Sequence, residues 1–283
     1  MKSVLKWTGR ILGGLIVLLL ILGVVFYFVG GSKVNKTYEL PDVALTVSDD
    51  SAQVAHGAHL AATLGCTDCH TEDLSGQVMI DAPPFKVVAP NLTPAGIAAQ
   101  RTDAQLEHAI RHGVSGDGTS VVIMPSLAYH GLSDGDVSAL ISYLRSVPAV
   151  ENEPGQTQIK LMGRLLSAGP FDPAFEVNLD PSPTSNPEIG PTVEYGRYRY
   201  QTVCTYCHGE NGGGMEVPPV PESPPAPGME AAGNWTLDQF IQTMRTGVTP
   251  AGRELNAEFM PYEVFGQMSD DEMAALHAYF GTL

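Results

Sequence analysis

One segment is patterned unlike any other in the chain. Ile11 to Val29 reads ILGGLIVLLLILGVVFYFV, a run without a single charge. As a helix rising ~1.5 Å per residue it spans about 28 Å, close to the ~30 Å of bilayer hydrocarbon. Lys2, Lys6 and Arg10 precede the run, and Phe26, Tyr27 and Phe28 close it like an interfacial belt. Three cations before the span and two after it bias the N-terminus to the cytoplasm. A cleaved signal peptide has a shorter apolar core, about 7–15 residues, and an A-x-A-like site. Here the run is longer, and Val29-Gly30-Gly31-Ser32 is a poor site. The expectation is an uncleaved single-pass anchor in the inner (cytoplasmic) membrane. No later segment is apolar enough to span, which puts the remainder on the periplasmic or extracytoplasmic side.

Beyond the anchor, apolar residues recur at helical spacing in two similar series. Thr102 with Gln105, and Thr236 with Gln239, form capping boxes that open apolar helical runs. Both runs end in Arg-x-Gly-Val, at Arg111 to Val114 and Arg245 to Val248. Met124-Pro125 and Met260-Pro261 follow. Second capped helices then start at Ser133-x-x-Asp136 and Ser269-x-x-Glu272, and end around Tyr143 and Tyr279. Arg245 follows Arg111, Met260 follows Met124 and Tyr279 follows Tyr143 at an almost constant offset. A register kept this closely marks an internal duplication.

Composition sets the boundaries. Gly (30) and Pro (22) are abundant and only 16% of the 283 residues are charged, which suits a loop-rich body. Residues 1–36 are expected to be the membrane anchor, residues 37–50 a polar tether opening a first domain over 37–150, and 151–190 a Pro-rich linker with a second domain over 191–283. The Pro218–Pro227 stretch reads as a surface loop, a flap or a tolerated insertion. Net charge is −16, with +5 in residues 1–36 and therefore −21 in the body. So acidic a body repels phosphate, which excludes nucleic-acid binding. It favours basic protein partners or simple solubility.

The four cysteines occur as Cys66-Thr67-Asp68-Cys69-His70 and Cys204-Thr205-Tyr206-Cys207-His208. C-x-x-C-H is the attachment signature of c-type haem. Two thiols three positions apart on a helical turn each form a thioether with one vinyl group, and the next residue, His, points its imidazole at the iron. A zinc site built from four cysteines uses pairs about 15–20 residues apart. A thioredoxin-like motif needs a βαβ setting. Neither explains a histidine directly after both pairs. The expected cofactor is covalent haem c, two per chain, held by Cys66, Cys69, Cys204 and Cys207, with His70 and His208 as proximal ligands.

The repeat also offers a sixth ligand. Met124 follows His70 at nearly the same separation as Met260 follows His208, so each half places one thioether equivalently. A Pro after each Met favours an extended Met and a rigid turn. Met124 and Met260 are therefore expected to be the distal ligands, in place of the usual role of Met as core filler. A soft thioether on low-spin iron raises the potential and closes the iron to substrate. Competing ligands are Met79 and His112 in the first half and Met215, Met244 and Met268 in the second, of which Met244 and Met268 fall at core-facing positions. The other histidines read as surface or structural groups, although His108 and His112 form an i, i+4 pair.

These motifs, with Pro90-Asn91-Leu92-Thr93-Pro94 and Leu132-Ser133-Asp134-Gly135-Asp136…Tyr143-Leu144-Arg145-Ser146-Val147-Pro148, resemble tandem class I cytochrome c domains. They are similar to the cytochrome c subunits of membrane-bound alcohol and sugar dehydrogenases. The resemblance covers most of residues 50–283. It implies an all-α fold of two tandem cytochrome c domains, in which the first helix of each crosses the last, with Gly57 or Gly196 meeting Tyr143, Tyr279 or Phe280. Many such subunits carry three haem motifs and a C-terminal membrane segment, whereas this sequence shows two motifs and an N-terminal apolar run. The function expected is electron transfer to or from redox protein partners: a dehydrogenase, a quinol-oxidising complex or a terminal oxidase. The alternative is a dihaem cytochrome c peroxidase-like enzyme with one open haem site, against which the matched Met-Pro motifs count.

Overall fold

The structure is a computed structural model that describes residues 2–183, 185, 187–216 and 224–283. Helix α1 (Lys2–Val34) is continuous through the apolar run and almost free of contact with the rest of the chain there, becoming buried at Gly30 and Gly31. The first half follows: α2 (Ser51–Thr63), α3 (Cys66–His70), strands β1 (Gln77–Asp81) and β2 (Phe85–Ala89), then α4 (Ile97–Gln100), α5 (Asp103–His112), α6 (Ser126–Tyr129) and α7 (Asp134–Ser146). β3 (Gln158–Ile159) and α8 (Leu161–Ser167) lie between the halves. The second half runs α9 (Val193–Val203), α10 (Thr205–His208), α11 (Glu230–Gly233), α12 (Leu237–Thr246), α13 (Tyr262–Phe265) and α14 (Asp270–Phe280).

Each half is organised by one crossing, α2 on α7 and α9 on α14. The crossing is close because a glycine lies at its centre. A methyl added at Gly57 would fall 1.9 Å from the Ala139 carbonyl oxygen, and one at Gly196 1.9 Å from that of Ala275. Gly57 also meets Tyr143 Cβ, as the resemblance implies, whereas Gly196 meets the Ala275–Leu276 backbone rather than an aromatic ring. Around the crossings, Leu60, Leu106, Leu132, Val137, Leu140 and Ile141 fill the first core. Tyr200, Phe240, Met268, Met273, Leu276 and Phe280 fill the second.

The helix starts follow local chemistry. Thr102–Gln105, Thr236–Gln239 and Ser269–Glu272 are complete capping boxes. At Ser133 only the hydroxyl half forms: the Ser133 N–H donates to the Tyr198 hydroxyl (3.0 Å), and the shorter Asp136 carboxylate meets His56 Nε2 (2.7 Å) and the same hydroxyl (2.5 Å). The repeated Arg before each helix-ending glycine reaches the start of the last helix: Arg111 Nη1 donates to Asp134 Oδ1 (2.8 Å) and Arg245 Nη2 to Asp270 Oδ1 (2.9 Å).

The fold departs from an all-α expectation. β1, β2 and β3 form an antiparallel sheet in that order, with Val78 opposite Val88, a bulge before Ile80, and Phe85 opposite Ile159. The segment Gln77–Ala89 is rich in Val and Ile and turns at Pro83-Pro84, which suits a hairpin. Residues 37–50 also differ from a free tether. Tyr38 N–H donates to Gly118 O (2.8 Å), and Thr46 and Ser48 N–H groups donate to the hydroxyls of Ser138 and Ser142 on α7 (3.1 Å each). Part of the proline-rich stretch, residues 217–223, lies outside the described residues.

The halves meet through α2 and α9 in a pseudo-symmetric join. The carboxylate in the first turn of each last helix receives a group from the other half: Tyr198 reaches Asp136, and His59 Nε2 reaches Glu272 Oε2 (2.6 Å). Arg199, fully buried, sits in this join with Nε 3.3 Å from Glu272 Oε1 and Nη2 donating to Thr63 Oγ1 (3.1 Å).

Candidate functional site

α2 ends at Leu64, and left-handed Gly65 turns the chain into α3, whose single turn carries Cys66, Cys69 and His70. The Tyr129 hydroxyl ties this corner to α6 by donating to Leu64 O (2.7 Å). His70 is buried, with Nδ1–H on Pro90 O (2.8 Å). A carbonyl only accepts, so the proton sits on Nδ1 and the Nε2 lone pair is free for a metal. Burial lowers the His70 pKa, opposed by the Pro90 hydrogen bond, and so favours the neutral, ligating imidazole. The Pro90 loop is clamped in turn. Asn91 Nδ2 donates to Val150 O (2.8 Å), its Oδ1 accepts from Thr93 N–H (2.9 Å), and Asn152 Nδ2 donates to Gly76 O (2.9 Å).

The second motif repeats this arrangement. His208 is buried, Nδ1–H donates to Pro227 O (2.8 Å), and burial again lowers its pKa. Pro227 closes the stretch read from sequence as a loop or flap, so one residue of that stretch orients the imidazole. The orienting carbonyls went unnoticed in the sequence because a backbone acceptor has no side-chain signature. A proline at an equivalent place after each C-x-x-C-H, Pro90 and Pro227, was the signal that could have found them.

Burial pushes the Cys66 and Cys204 thiols up to about 12. Cys69 and Cys207 are raised as well, again by burial first. Among the described residues no group of three or more His, Cys, Asp or Glu is placed to hold a metal ion. The C-x-x-C-H turns, with both imidazoles held by carbonyls, fit a porphyrin bound by two thioethers and a histidine.

A sequence profile decides the family: that of cytochrome c matches residues 54–148 and 193–283. The chain belongs to the cytochrome c family. Membership implies c-type haem. The cytochrome is 29% identical to the alcohol dehydrogenase (quinone) cytochrome c subunit of Gluconacetobacter polyoxogenes over 188 residues, 62% of this chain and 39% of that protein. It is 28% identical to the fructose dehydrogenase cytochrome subunit of Gluconobacter japonicus over 202 residues, 68% of this chain and 39% of that protein. The match thus spans 39% of each of these two relatives.

Within the cytochrome, Met124 and Met260 occupy matching turns. Pro125 (φ −78°, ψ 60°) and Pro261 (φ −72°, ψ 67°) centre inverse γ-turns. These are closed by Ser126 N–H on Met124 O (2.8 Å) and Tyr262 N–H on Met260 O (2.7 Å). Each Met is half-buried against the core of its own half. Among the rival ligands, Met244 is a core residue of α12, as its helical position predicts, Met268 is buried in the turn between α13 and α14 instead of on a helix, and Met79 is exposed on β1. His112 is spoken for by Asn178 O (2.7 Å) and Glu107 (3.3 Å). The halves also interlock at the motifs: α10 packs on α6, just after Met124-Pro125, and α13, just after Met260-Pro261, packs on α2. Buried Glu176 bridges the first contact. Its Oε1 accepts from the Tyr206 hydroxyl (3.1 Å) and its Oε2 from Leu127 N–H (3.0 Å).

Proposed function

We propose that this cytochrome is a two-haem electron carrier, with one haem c on Cys66 and Cys69 and a second on Cys204 and Cys207. His70 and Met124 complete the first iron, and His208 and Met260 the second. When bound, haem supplies a one-electron couple at its iron. The chain's own residues do the rest. The Pro90 and Pro227 carbonyls hold each imidazole in the ligating tautomer, and the Pro-centred turns hold each thioether in a fixed place. Two filled axial positions leave a relay rather than a catalyst, so the match between the Met-Pro turns supports a carrier over a peroxidase.

The observation that carries this reading is the duplication of the whole constellation: a buried His on a proline carbonyl, and a Met in an inverse γ-turn, in each half. We assign residues 1–36 as the anchor, with Ile11–Val29 crossing the cytoplasmic membrane and the cytochrome c domains, 37–150 and 191–283, outside the cytoplasm. The apolar helix Lys6–Val34, with mean hydropathy up to 2.9, supports this. Relatives that are cytochrome subunits of dehydrogenases support a place in such a complex, taking electrons from a dehydrogenase and passing them to a second redox protein. The acidic body suits a basic partner face and a rate that falls with ionic strength.

Haem quantitation of the full chain from a host competent in cytochrome maturation tests the reading. The expected result is two haems c per chain and a sulfur-to-iron charge-transfer band that loses half its intensity in Met124→Ala and half in Met260→Ala. One haem per chain, or a band indifferent to either variant, refutes it.

A further inference from the structure

We propose that α8 and the β1–β2 hairpin form a platform resting on the anionic headgroup layer of the bilayer that α1 enters. The body is then held against the membrane instead of swinging from it. The inference rests on the reading of α1 as a membrane span.

The crossing of α1 and α8 places the platform. A methyl at Gly30 would lie 1.7 Å from Arg164 O, so the two backbones touch at the end of the apolar run. The Arg164 guanidinium lies over the Tyr27 ring, 5.8 Å from its centroid. Tyr27 belongs to the aromatic group that ends the span, where such rings sit at headgroup level. α8 therefore lies at the membrane exit. There it leaves Leu161 65% and Met162 50% exposed, although both are large and apolar.

The hairpin is tied to the same helix. Lys160 N–H donates to Pro84 O (3.0 Å), Lys160 Nζ pairs with Asp81 Oδ1 (2.5 Å), and Gly163 packs on Pro84 and Phe85. β1 adds Val78, Met79 and Ile80, each at least 40% exposed. A cluster of exposed apolar side chains marks a contact surface, and its position next to a span matches it to lipid.

Charge argues the same way. The body is strongly acidic, yet all four lysines after the apolar run, Lys33, Lys36, Lys86 and Lys160, lie on or next to α1, the hairpin and α8. Exposed apolar side chains and lysines carried by the same elements suit an anionic interface, with Lys160 partly neutralised by Asp81. Because residues 37–50 are hydrogen-bonded to the first half, the platform and the body move together.

The test uses the full holoprotein in nanodiscs of mixed zwitterionic and anionic lipid, spin-labelled singly at Leu161→Cys, Met79→Cys, Leu19→Cys in the span or Leu237→Cys in the second half. Collision with oxygen reports lipid, and collision with a water-soluble nickel chelate reports water. The expected result is nickel access at positions 161 and 79 several-fold lower than at 237, with higher oxygen access. Positions 161 and 79 as open to nickel as 237, with position 19 oxygen-rich, overturn the platform and leave the span standing. Position 19 open to nickel overturns the span, and the platform with it.

Discussion

Replacing Glu272 by glutamine probes the join between the two halves. The carboxylate is 3% exposed. Its Oε1 lies 3.3 Å from Arg199 Nε, and its Oε2 accepts Ser269 N–H (2.8 Å) and faces His59 Nε2 (2.6 Å). Burial by itself would raise the carboxyl pKa. The His59 hydrogen bond, the Arg199 charge and the Ser269 N–H outweigh it and hold the group at about 2, against an ordinary 4.5. That gap corresponds to roughly 3 kcal/mol favouring the folded, ionised form. A depressed folded-state value stabilises above pH 4.5, and the contribution is lost as pH falls towards about 2. Glu272→Gln also strands Arg199, which is 0% exposed. Breaking one side of a buried pair costs about 3–5 kcal/mol, in line with the titration figure. Denaturant unfolding followed by circular dichroism should show the variant about 3 kcal/mol less stable than the parent at pH 7, with the difference shrinking below pH 4.5. Removing both partners, as Arg199→Leu with Glu272→Leu, should recover most of the loss. A single variant within about 1 kcal/mol of the parent at pH 7, or a deficit unchanged by acid, refutes the reasoning.

Two further sets of substitutions test the crossings and the strap between the motifs. Gly57→Ala and Gly196→Ala each drive a methyl to 1.9 Å from a backbone carbonyl, whereas Gly169 has nothing within 4 Å. The first two should cost the upper end of about 1–3 kcal/mol in unfolding and Gly169→Ala almost nothing; equal effects would show that the crossings yield easily. Burial raises the pKa of Glu176 despite its hydrogen bonds to Leu127 and Tyr206. A raised folded-state value stabilises at low pH and is lost as pH rises above the ordinary 4.5. Glu176→Gln should therefore be more stable than the parent at neutral pH, with the advantage vanishing in acid; a loss at neutral pH would mean that the ionised form is the one the site prefers.

The expectations that held rest on short-range chemistry. A capping box closes between positions three apart, so Thr102–Gln105, Thr236–Gln239 and Ser269–Glu272 were readable in the chain, as was the C-x-x-C-H turn. Met244, expected in the core from helical spacing, is buried on α12; Met268 is buried too, but in the turn between α13 and α14 rather than on a helix. The duplication supplied what a single copy would not, because a matched register singles out one Met per half. The hairpin goes against the all-α expectation because that expectation came from the resemblance, although the Val- and Ile-rich strands either side of Pro83-Pro84 are legible locally. At Ser133 the local rule met a competitor from the other half, and the box stayed half-formed.

What the amino-acid order determined by itself was therefore the apolar helix, the repeat, the chemistry of the two motifs and the helix starts, all set by neighbours within a turn or two. Tertiary structure alone decided which carbonyl holds each imidazole, that the supposed tether lies along α7, and that His59 meets Glu272 from the far half of the chain. Those pairings depend on how packed surfaces dock. Docking is fixed by shape, burial and the need to satisfy every buried charge, and none of these is local in the chain.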